Sequence, residues 1–594
     1  MDQPIDRPGC IIDHAGRKML PIGDDGFVSA ASRSALVDKT MLVGAVLDSG
    51  YKVTLFCRPR RFGKTLNMTM LRAFLEIPTT DADHAPLFEG TRIWSASDGY
   101  YQRFFQRYPV VYISMRTAKG ATWASTFGAI RNIMTSEYLR HLYLSESDKL
   151  PRGDRAYVER IASGEASDED YADSLLRLTR MLRAHHGQGA VVLIDEYDAP
   201  VMAGYSRFGG GYYDDVVGFL KRWLTGALKD GGEALAFACL TGVQRISKES
   251  IFSDLNNLVV NTPLSSEFDE YFGFTSEEVA ALARYLGHGD CLDEAKRWYD
   301  GYRFGRAEVY NPWSVLNYLR QGCTPGTYWS NTSSNGVVSS LLATADDETF
   351  SQVAGLLSPK GTVAAPLDLG VVFPDIGIRP GAVWSMLYLA GYLTTDLTAM
   401  PDDYTLIRPL RIPNQEVARL FRSEIVSRFG SLAGGIDRLL KFRRALAAGD
   451  ALTLTTELRR IAAFSASSFD LVSENACHML ILGLCFGLPG YGDPRSNAEA
   501  GYGRFDIQVE PIAMAMDAPE AYGMLERRPR ITIELKYASG HADEGDLAKL
   551  ASEALGQIRE RGYDEAPLGP AACGRLRWGV AFSGKRVEAA CAWA

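Results

Sequence analysis

In the first third of the chain, apolar residues gather in short unbroken runs separated by longer stretches of helical spacing. The runs are Val53-Thr54-Leu55-Phe56-Cys57, Val110-Val111-Tyr112-Ile113, Val191-Val192-Leu193-Ile194, Ala234 to Leu240 and Leu258-Val259-Val260. Such strands need helices on both faces, which the intervening amphipathic stretches supply, so the pattern predicts a doubly wound parallel sheet. Behind the first run, Leu66, Thr69, Met70 and Phe74 recur at helical spacing, giving strand, loop and helix in succession. From about Phe274 the pattern turns helical, with Thr275-Ser276-Glu277-Glu278 as a helix start ahead of Val279, Leu282 and Leu286. Residues 340 to 470 keep apolar periodicity but show no catalytic constellation. Strands return after Leu471, and residues 515 to 530 read as a loop because Asp517-Ala518-Pro519 and Arg528-Pro529 interrupt regular structure. The longest apolar run, Cys477 to Leu488, contains His478 and falls short of the ~20 residues of a membrane span, so a buried helix is expected.

At 594 residues the chain is too long for one core. Its 46% hydrophobic and 23% charged residues describe an ordinary globular protein. A net charge of −9 excludes a protein coated in basic surface. Nucleic-acid contact would have to come from local clusters such as Arg58-Arg60-Arg61 or Arg527-Arg528-Arg530. The nine cysteines are scattered without C-x-x-C spacing, which favours reduced thiols and offers no zinc site. With no signal-like N-terminus, a cytoplasmic protein without membrane partners is expected.

Candidate chemistry begins at Arg58-Pro59-Arg60-Arg61-Phe62-Gly63-Lys64-Thr65. A phosphate loop reads G-x-x-x-x-G-K-[ST]: its amides surround phosphate oxygens, while the Lys and the hydroxyl serve the terminal phosphates and Mg²⁺. Gly63, Lys64 and Thr65 match, whereas Arg58 replaces the first Gly and Pro59 lacks an amide hydrogen. A second motif ends the run Val191 to Ile194 with Asp195-Glu196, placing one carboxylate near Mg²⁺ and the next where it can orient or deprotonate water. Chance occurrence of Gly-Lys-Thr is the competing reading, and the order and strand contexts weigh against it. Thr241 is either a γ-phosphate sensor at the tip of its strand or a turn residue; Arg245 and Lys248 beyond it fit solvated surface better than phosphate contact.

Near the other end, alternation in Ile531-Thr532-Ile533-Glu534-Leu535-Lys536 sends Thr532, Glu534 and Lys536 to one face of a strand. Phe505-Asp506-Ile507 likewise sets a carboxylate between apolar neighbours. Metal-dependent phosphodiester hydrolysis needs such carboxylates and a cation, although half-exposed strands also alternate charge with apolar residues.

At these residues the chain resembles the bacterial and archaeal AAA-ATPase-like proteins with a C-terminal PD-(D/E)XK nuclease-like domain, for which Arg-Pro-Arg-Arg-Phe-Gly-Lys-Thr-Leu is the phosphate-loop form. Val37-Asp38-Lys39-Thr40, Tyr271-Phe272-Gly273-Phe274, Trp298-Tyr299-Asp300-Gly301-Tyr302, Tyr310-Asn311-Pro312-Trp313-Ser314 and Ile412 to Val417 extend the resemblance. Gly501 to Asp506, Glu534-Leu535-Lys536 and Ala554 to Ile558 extend it to the nuclease half. It implies a nucleotide site of Arg60, Arg61, Gly63, Lys64, Thr65, Asp195 and Thr241, with Thr65 and Asp195 on Mg²⁺ and Glu196 catalytic. It also implies a nuclease site in which Asp506, Glu534 and the helix acid Glu474 bind Mg²⁺ or Mn²⁺, and Asp506, Glu534, Lys536 and Gln557 act catalytically. In related nucleases a Tyr lies three residues beyond the Gln; here Tyr563 lies six beyond Gln557, leaving its role open. Glu499, His478 and His541 are expected to be surface or structural groups.

The expectation is an α/β protein: an N-terminal extension (1–30), a P-loop ATPase domain (31–273), a helical lid-like region (274–345), a helical connecting region (346–470) and a restriction-endonuclease-like α/β domain (471–594). The expected function is Mg²⁺-dependent cleavage of nucleic acid, DNA favoured over RNA, under control of ATP, in defence or mobile-element biology, in a chain able to form homo-oligomers. The alternative is a non-catalytic nucleotide switch that uses the nuclease-like fold for partner binding.

Overall fold

The computed structural model describes residues 10–78, 83–205, 211–246, 251–252, 255–329, 338, 347–358, 361–371, 381–396, 407–465, 473–512 and 528–594. Packing divides the chain into two units, Met1–Ser333 with Ala364–Glu416, and Ser334–Val363 with Val417–Ala594.

The first unit is built on five strands: β1 (Val53–Cys57), β2 (Val110–Ser114), β3 (Ala190–Asp195), β4 (Leu235–Gly242) and β5 (Leu258–Asn261). They are the five runs picked out by pattern, and all pair in parallel in the order β2-β3-β4-β1-β5. Every residue of β1 and β3 is buried, as continuous apolar strands under helices on both faces must be. Complete burial of each Val, Leu or Ile is worth about 1.5–3 kcal/mol. The register fixes the site: Cys57 pairs with Gly242, Ile194 with Leu240 and Ser114 with Asp195, so these strands end together along one edge. Because β4 separates β1 from β3, Thr241 on β4 lies between the loop after β1 and the acids ending β3. Chain order reverses around β1, and ligands of such sheets bind beyond the carboxyl ends at that reversal.

Helix α1 (Lys64–Leu75) follows the phosphate loop. Helix α2 (Ser276–Leu286) starts where the pattern puts it, because Thr275 and Glu278 form a reciprocal capping box. Two stretches read as helical also hold strands. Tyr302–Phe304 and Ala307–Val309 pair as a hairpin around Gly305, and Val363–Pro366, Thr394–Thr395 and Ile407–Arg411 lie between helices of the connecting region. Strands of two to five residues are too short to leave a period in an apolar pattern.

The second unit carries β6 (Arg495–Ala500), β7 (Gly503–Val509), β8 (Arg528–Tyr537), β9 (Ala572–Ser583) and β10 (Arg586–Trp593) in sequential order. All neighbours are antiparallel except β8 and β9, which pair in parallel. A parallel pair needs a crossover, and helix α4 (Glu544–Glu560) supplies it. It packs so closely that a Cβ at Gly579 would lie 2.0 Å from the Ala551 carbonyl oxygen. Helix α3 (Glu474–Cys485) holds the apolar run from Cys477, buried as expected. The loop expected over residues 515–530 lies outside the described residues up to 527, as does Arg527. From Arg528 the chain is already strand, with Pro529 taken up by a register shift. Among the described residues no helix is long and apolar enough to cross a membrane, and all nine cysteines are unpaired.

Candidate functional site

The phosphate loop joins the end of β1 to the start of α1. Gly63 caps α1 at φ 80° and offers no side-chain acceptor to the helix, so the helix's first amides, which lack intrahelical partners, remain for a ligand. Lys64 is buried, and its Nζ donates to the carbonyls of Arg58 at 3.0 Å and Pro59 at 2.9 Å. Burial holds its pKa below the ordinary lysine value. The cation therefore spans its own loop and can exchange carbonyls for phosphate oxygens. Thr65 Oγ1 donates to Asp195 Oδ2 at 2.8 Å, and Thr241 Oγ1 donates to Asp195 Oδ1 at 2.6 Å. Thr241 Oγ1 in turn accepts from the Glu196 amide at 3.2 Å. One hydroxyl thus fixes both acids; its place is neither a turn nor free surface. Burial raises the Asp195 pKa, opposed by these two hydroxyls. Glu196 takes a left-handed backbone, φ 52°, which turns its side chain toward the cavity beyond the strand ends.

Arg58, the departure from the general motif, faces the core. Its guanidinium is fully buried and donates to Cys57 O at 2.9 Å, Asn261 O at 3.1 Å and Asn261 Oδ1 at 2.6 Å, while stacking at 5.1 Å from both Phe272 and Phe304. It ties the exit of β1 to the exit of β5. Other quoted segments buttress the same loop. Arg61 lies 4.2 Å from the Trp313 ring, Trp329 Nε1 donates to the Arg60 carbonyl at 3.2 Å, and Glu416 receives both the Trp329 amide and the Ser314 hydroxyl. Gly391 sits against Pro59, where a Cβ would come within 2.7 Å of the proline ring.

Around the loop opens a cavity of about 410 Å³, lined by Arg60, Arg61, Gly63, Lys64, Thr65 and Glu196 among others. The stretch set apart as an N-terminal extension supplies part of its wall through Ile12, Asp25 and Phe27. Two further cations, Arg116 and Lys119 after β2, line it and face Glu196; no sequence motif marked them. Lys248 lies outside the described residues.

The second polar site lies in the other unit. Asp506 on β7 accepts from the Leu535 amide through Oδ2 at 2.7 Å, just where the β7–β8 ladder stops. Lys536 Nζ donates to Gln557 Oε1 at 2.6 Å and lies 3.9 Å from Glu534 Oε1. Gln557 Nε2 donates to Glu534 Oε1 and, at 3.3 Å, to Tyr563 Oη. Tyr563 is thus part of this group although its spacing left that open. Glu534 is 3% exposed, which surface alternation does not give. Burial, with Asp506 adding to it, pushes the Glu534 pKa up to about 8; burial also raises that of Asp506. His478 Nε2 lies 3.1 Å from the Asp506 carbonyl and from Ser496 Oγ, holding the strand rather than the carboxylate. Glu499 is exposed and paired with Arg504, and His541 meets Arg586. Glu474 raises the Glu534 pKa through its charge. It does not complete a ligand trio, because among the described residues no three His, Cys, Asp or Glu side chains are placed to share a metal.

Residues 21–252 match the model of a family described as predicted AAA-ATPase, so the chain contains an AAA-ATPase-like domain, a class that binds nucleotide. A protein of Azotobacter chroococcum mcd 1, described as an uncharacterized protein in the vnfD 5′ region, is 27% identical over 419 residues, 70% of this chain and 71% of that one. The solved Walker-type ATPase of Pyrococcus abyssi is similar at 15% identity and a TM-score of 0.34, covering 65% of this chain and 96% of that one. The family match stops short of the second unit's sheet.

Proposed function

We propose that the chain hydrolyses ATP at the loop between β1 and α1, and that this hydrolysis governs a metal-dependent nuclease site at Asp506, Glu534 and Lys536. The observation that carries the first part is the double contact on Asp195, from Thr65 at 2.8 Å and Thr241 at 2.6 Å, with Thr65 lining the same cavity as Lys64. Hydroxyl and carboxylate oxygens are the hard donors that Mg²⁺ takes, so Thr65 and Asp195 would hold it. Bound there, the ion would neutralise charge on the phosphates. Water attacks the γ-phosphorus, a P–O bond forms as the bond to the ADP oxygen breaks, and Glu196 accepts the water's proton. Lys64 offsets phosphate charge as it leaves its two carbonyls.

The second part is supported by four polar side chains meeting at the break between β7 and β8. Glu534 Oε2 is buried without a hydrogen-bond partner, as suits an oxygen that faces an ion. Two carboxylates with waters and substrate phosphate suffice for Mg²⁺, so Asp506 and Glu534 would hold Mg²⁺ or Mn²⁺, which polarises the attacked phosphodiester. Gln557 fixes Lys536 and Glu534 against one another, and Lys536 stabilises the charge that develops on the phosphate. DNA is the favoured substrate, in a defence or mobile-element setting.

The test is incubation of purified protein with duplex DNA, single-stranded DNA and RNA, with and without ATP, in Mg²⁺ or Mn²⁺. Cleavage should require metal, vanish in Asp506→Ala and Glu534→Ala, and lose its ATP response in Lys64→Ala. Wild-type protein that turns over ATP but cleaves nothing under any condition would replace the nuclease with the alternative, a nucleotide switch that docks partners on this fold.

A further inference from the structure

The turn after β2 is built as firmly as the catalytic strand beside it. Met115 donates its amide to the Asp195 carbonyl at 2.9 Å, Ala118 closes back on Met115 at 3.0 Å, and Gly120 donates to Thr126 Oγ1 at 2.9 Å. From this turn Arg116 and Lys119 approach the two oxygens of Glu196, Nε at 4.0 Å and Nζ at 3.9 Å. Arg116 also pairs at 2.5 Å with Asp25. Both cations line the same cavity as Lys64 and Thr65. Two cations thus flank the Glu196 carboxylate, one at each oxygen, in the cavity that Lys64 and Thr65 also line. The pairs are long and half exposed, with Arg116 and Lys119 side chains 45% and 48% exposed, so a more highly charged anion displaces them easily.

We propose that Arg116 and Lys119 form a receptor, within the same chain, for the terminal phosphate of the nucleotide, and that they restrain Glu196 until that phosphate takes them. This rests on the cavity being the ATP site. The γ-phosphate draws the two cations from Glu196, and the carboxylate, no longer held between them, is free to turn toward the attacking water. ADP lacks the group that competes for them, so Glu196 is restrained again once phosphate leaves. Arg116 supplies in cis the charge that a second copy's arginine would otherwise bring to the transition state.

The test compares ATP and ADP affinity, by competition against a fluorescent nucleotide, with kcat and KM in wild-type, Arg116→Ala, Arg116→Lys, Lys119→Ala and Lys64→Ala proteins. Arg116→Ala should weaken ATP about 10-fold while leaving ADP within twofold, and lower kcat about 10³-fold, the lower end of what such arginines supply. Arg116→Lys should recover most of the ATP preference and only part of kcat, since it keeps charge but loses the planar fork. Wild-type kcat should not change with protein concentration. An unchanged ATP-to-ADP affinity ratio in both alanine variants overturns the proposal, as does a raised kcat, which would leave a restraint without a receptor. Undiminished ATP binding in Lys64→Ala would instead reject the ATP site itself.

Discussion

Arg58→Gly restores the general phosphate-loop glycine, yet it should weaken both the fold and the site. The guanidinium makes three hydrogen bonds and stacks on two rings. Taken at about 2 kcal/mol for each charged hydrogen bond and about 2 kcal/mol for desolvated cation–π contact, these contribute roughly 8 kcal/mol. Against this stands the cost of burying the charge, which lowers the Arg58 pKa from 12.5 to about 10 and so amounts to about 3 kcal/mol. The balance is a loss of about 5 kcal/mol, to which glycine's backbone freedom adds about 1 kcal/mol. Hydrogen exchange under mild urea reads this locally: amides of β1 and β5 should lose protection, while those of β8 should keep it. ATP affinity should fall as well, because the loop would no longer be tied to Asn261. Unchanged protection together with tighter ATP binding would refute the reasoning and mark Arg58 as decay of the motif.

Glu534→Gln tests the second site through pH. The folded pKa of Glu534 is raised from 4.5 to about 8, so between those values the unfolded chain sheds a proton that the folded chain keeps, and stability falls as pH rises. The full shift sets a ceiling of roughly 5 kcal/mol, and on the order of 3 kcal/mol is expected with solvent near the site. Metal-free wild-type protein should lose β8 protection from pH 5 to 8.5, a loss that Glu534→Gln should flatten; equal slopes would contradict it. Thr241→Ala removes two hydrogen bonds, one to the Asp195 carboxylate and one from the Glu196 amide, each worth about 1 kcal/mol, so kcat for ATP should fall about 10-fold with little change in nucleotide affinity. Equal loss of both would deny it a role in positioning. Tyr563→Phe should slow metal-dependent cleavage about fivefold through a less fixed Gln557, while ATP turnover stays constant.

The parallel sheet was legible because each of its strands is a continuous apolar run, a pattern that only two-sided cover explains. Lys64, Thr65 and Asp195 were legible because they adjoin such runs in chain order. Strand order was not: that Thr241 joins Thr65 on Asp195 follows from β4 lying between β1 and β3, which no local pattern encodes. Arg116, Lys119 and Asp25 were missed for a related reason, since a charged residue in a turn reads as solvated until the fold brings its partner near. The role of Arg58 was not legible from the general motif, which describes only phosphate contacts, because its partner Asn261 lies 203 residues on. In the second unit, alternation placed Glu534 and Lys536 on one face, but Tyr563 joins them through Gln557 by tertiary contact, not by spacing.

The central claim is that Lys64 and Glu196 serve one ATP molecule in different ways, and calorimetry paired with single-turnover hydrolysis tests it most directly. Wild-type protein should bind and hydrolyse ATP. Lys64→Ala should lose binding, and Glu196→Gln should bind normally while turnover falls by about 10²-fold or more, the scale of positioned acid–base catalysis. Undiminished affinity in Lys64→Ala, or binding lost together with turnover in Glu196→Gln, would contradict the account.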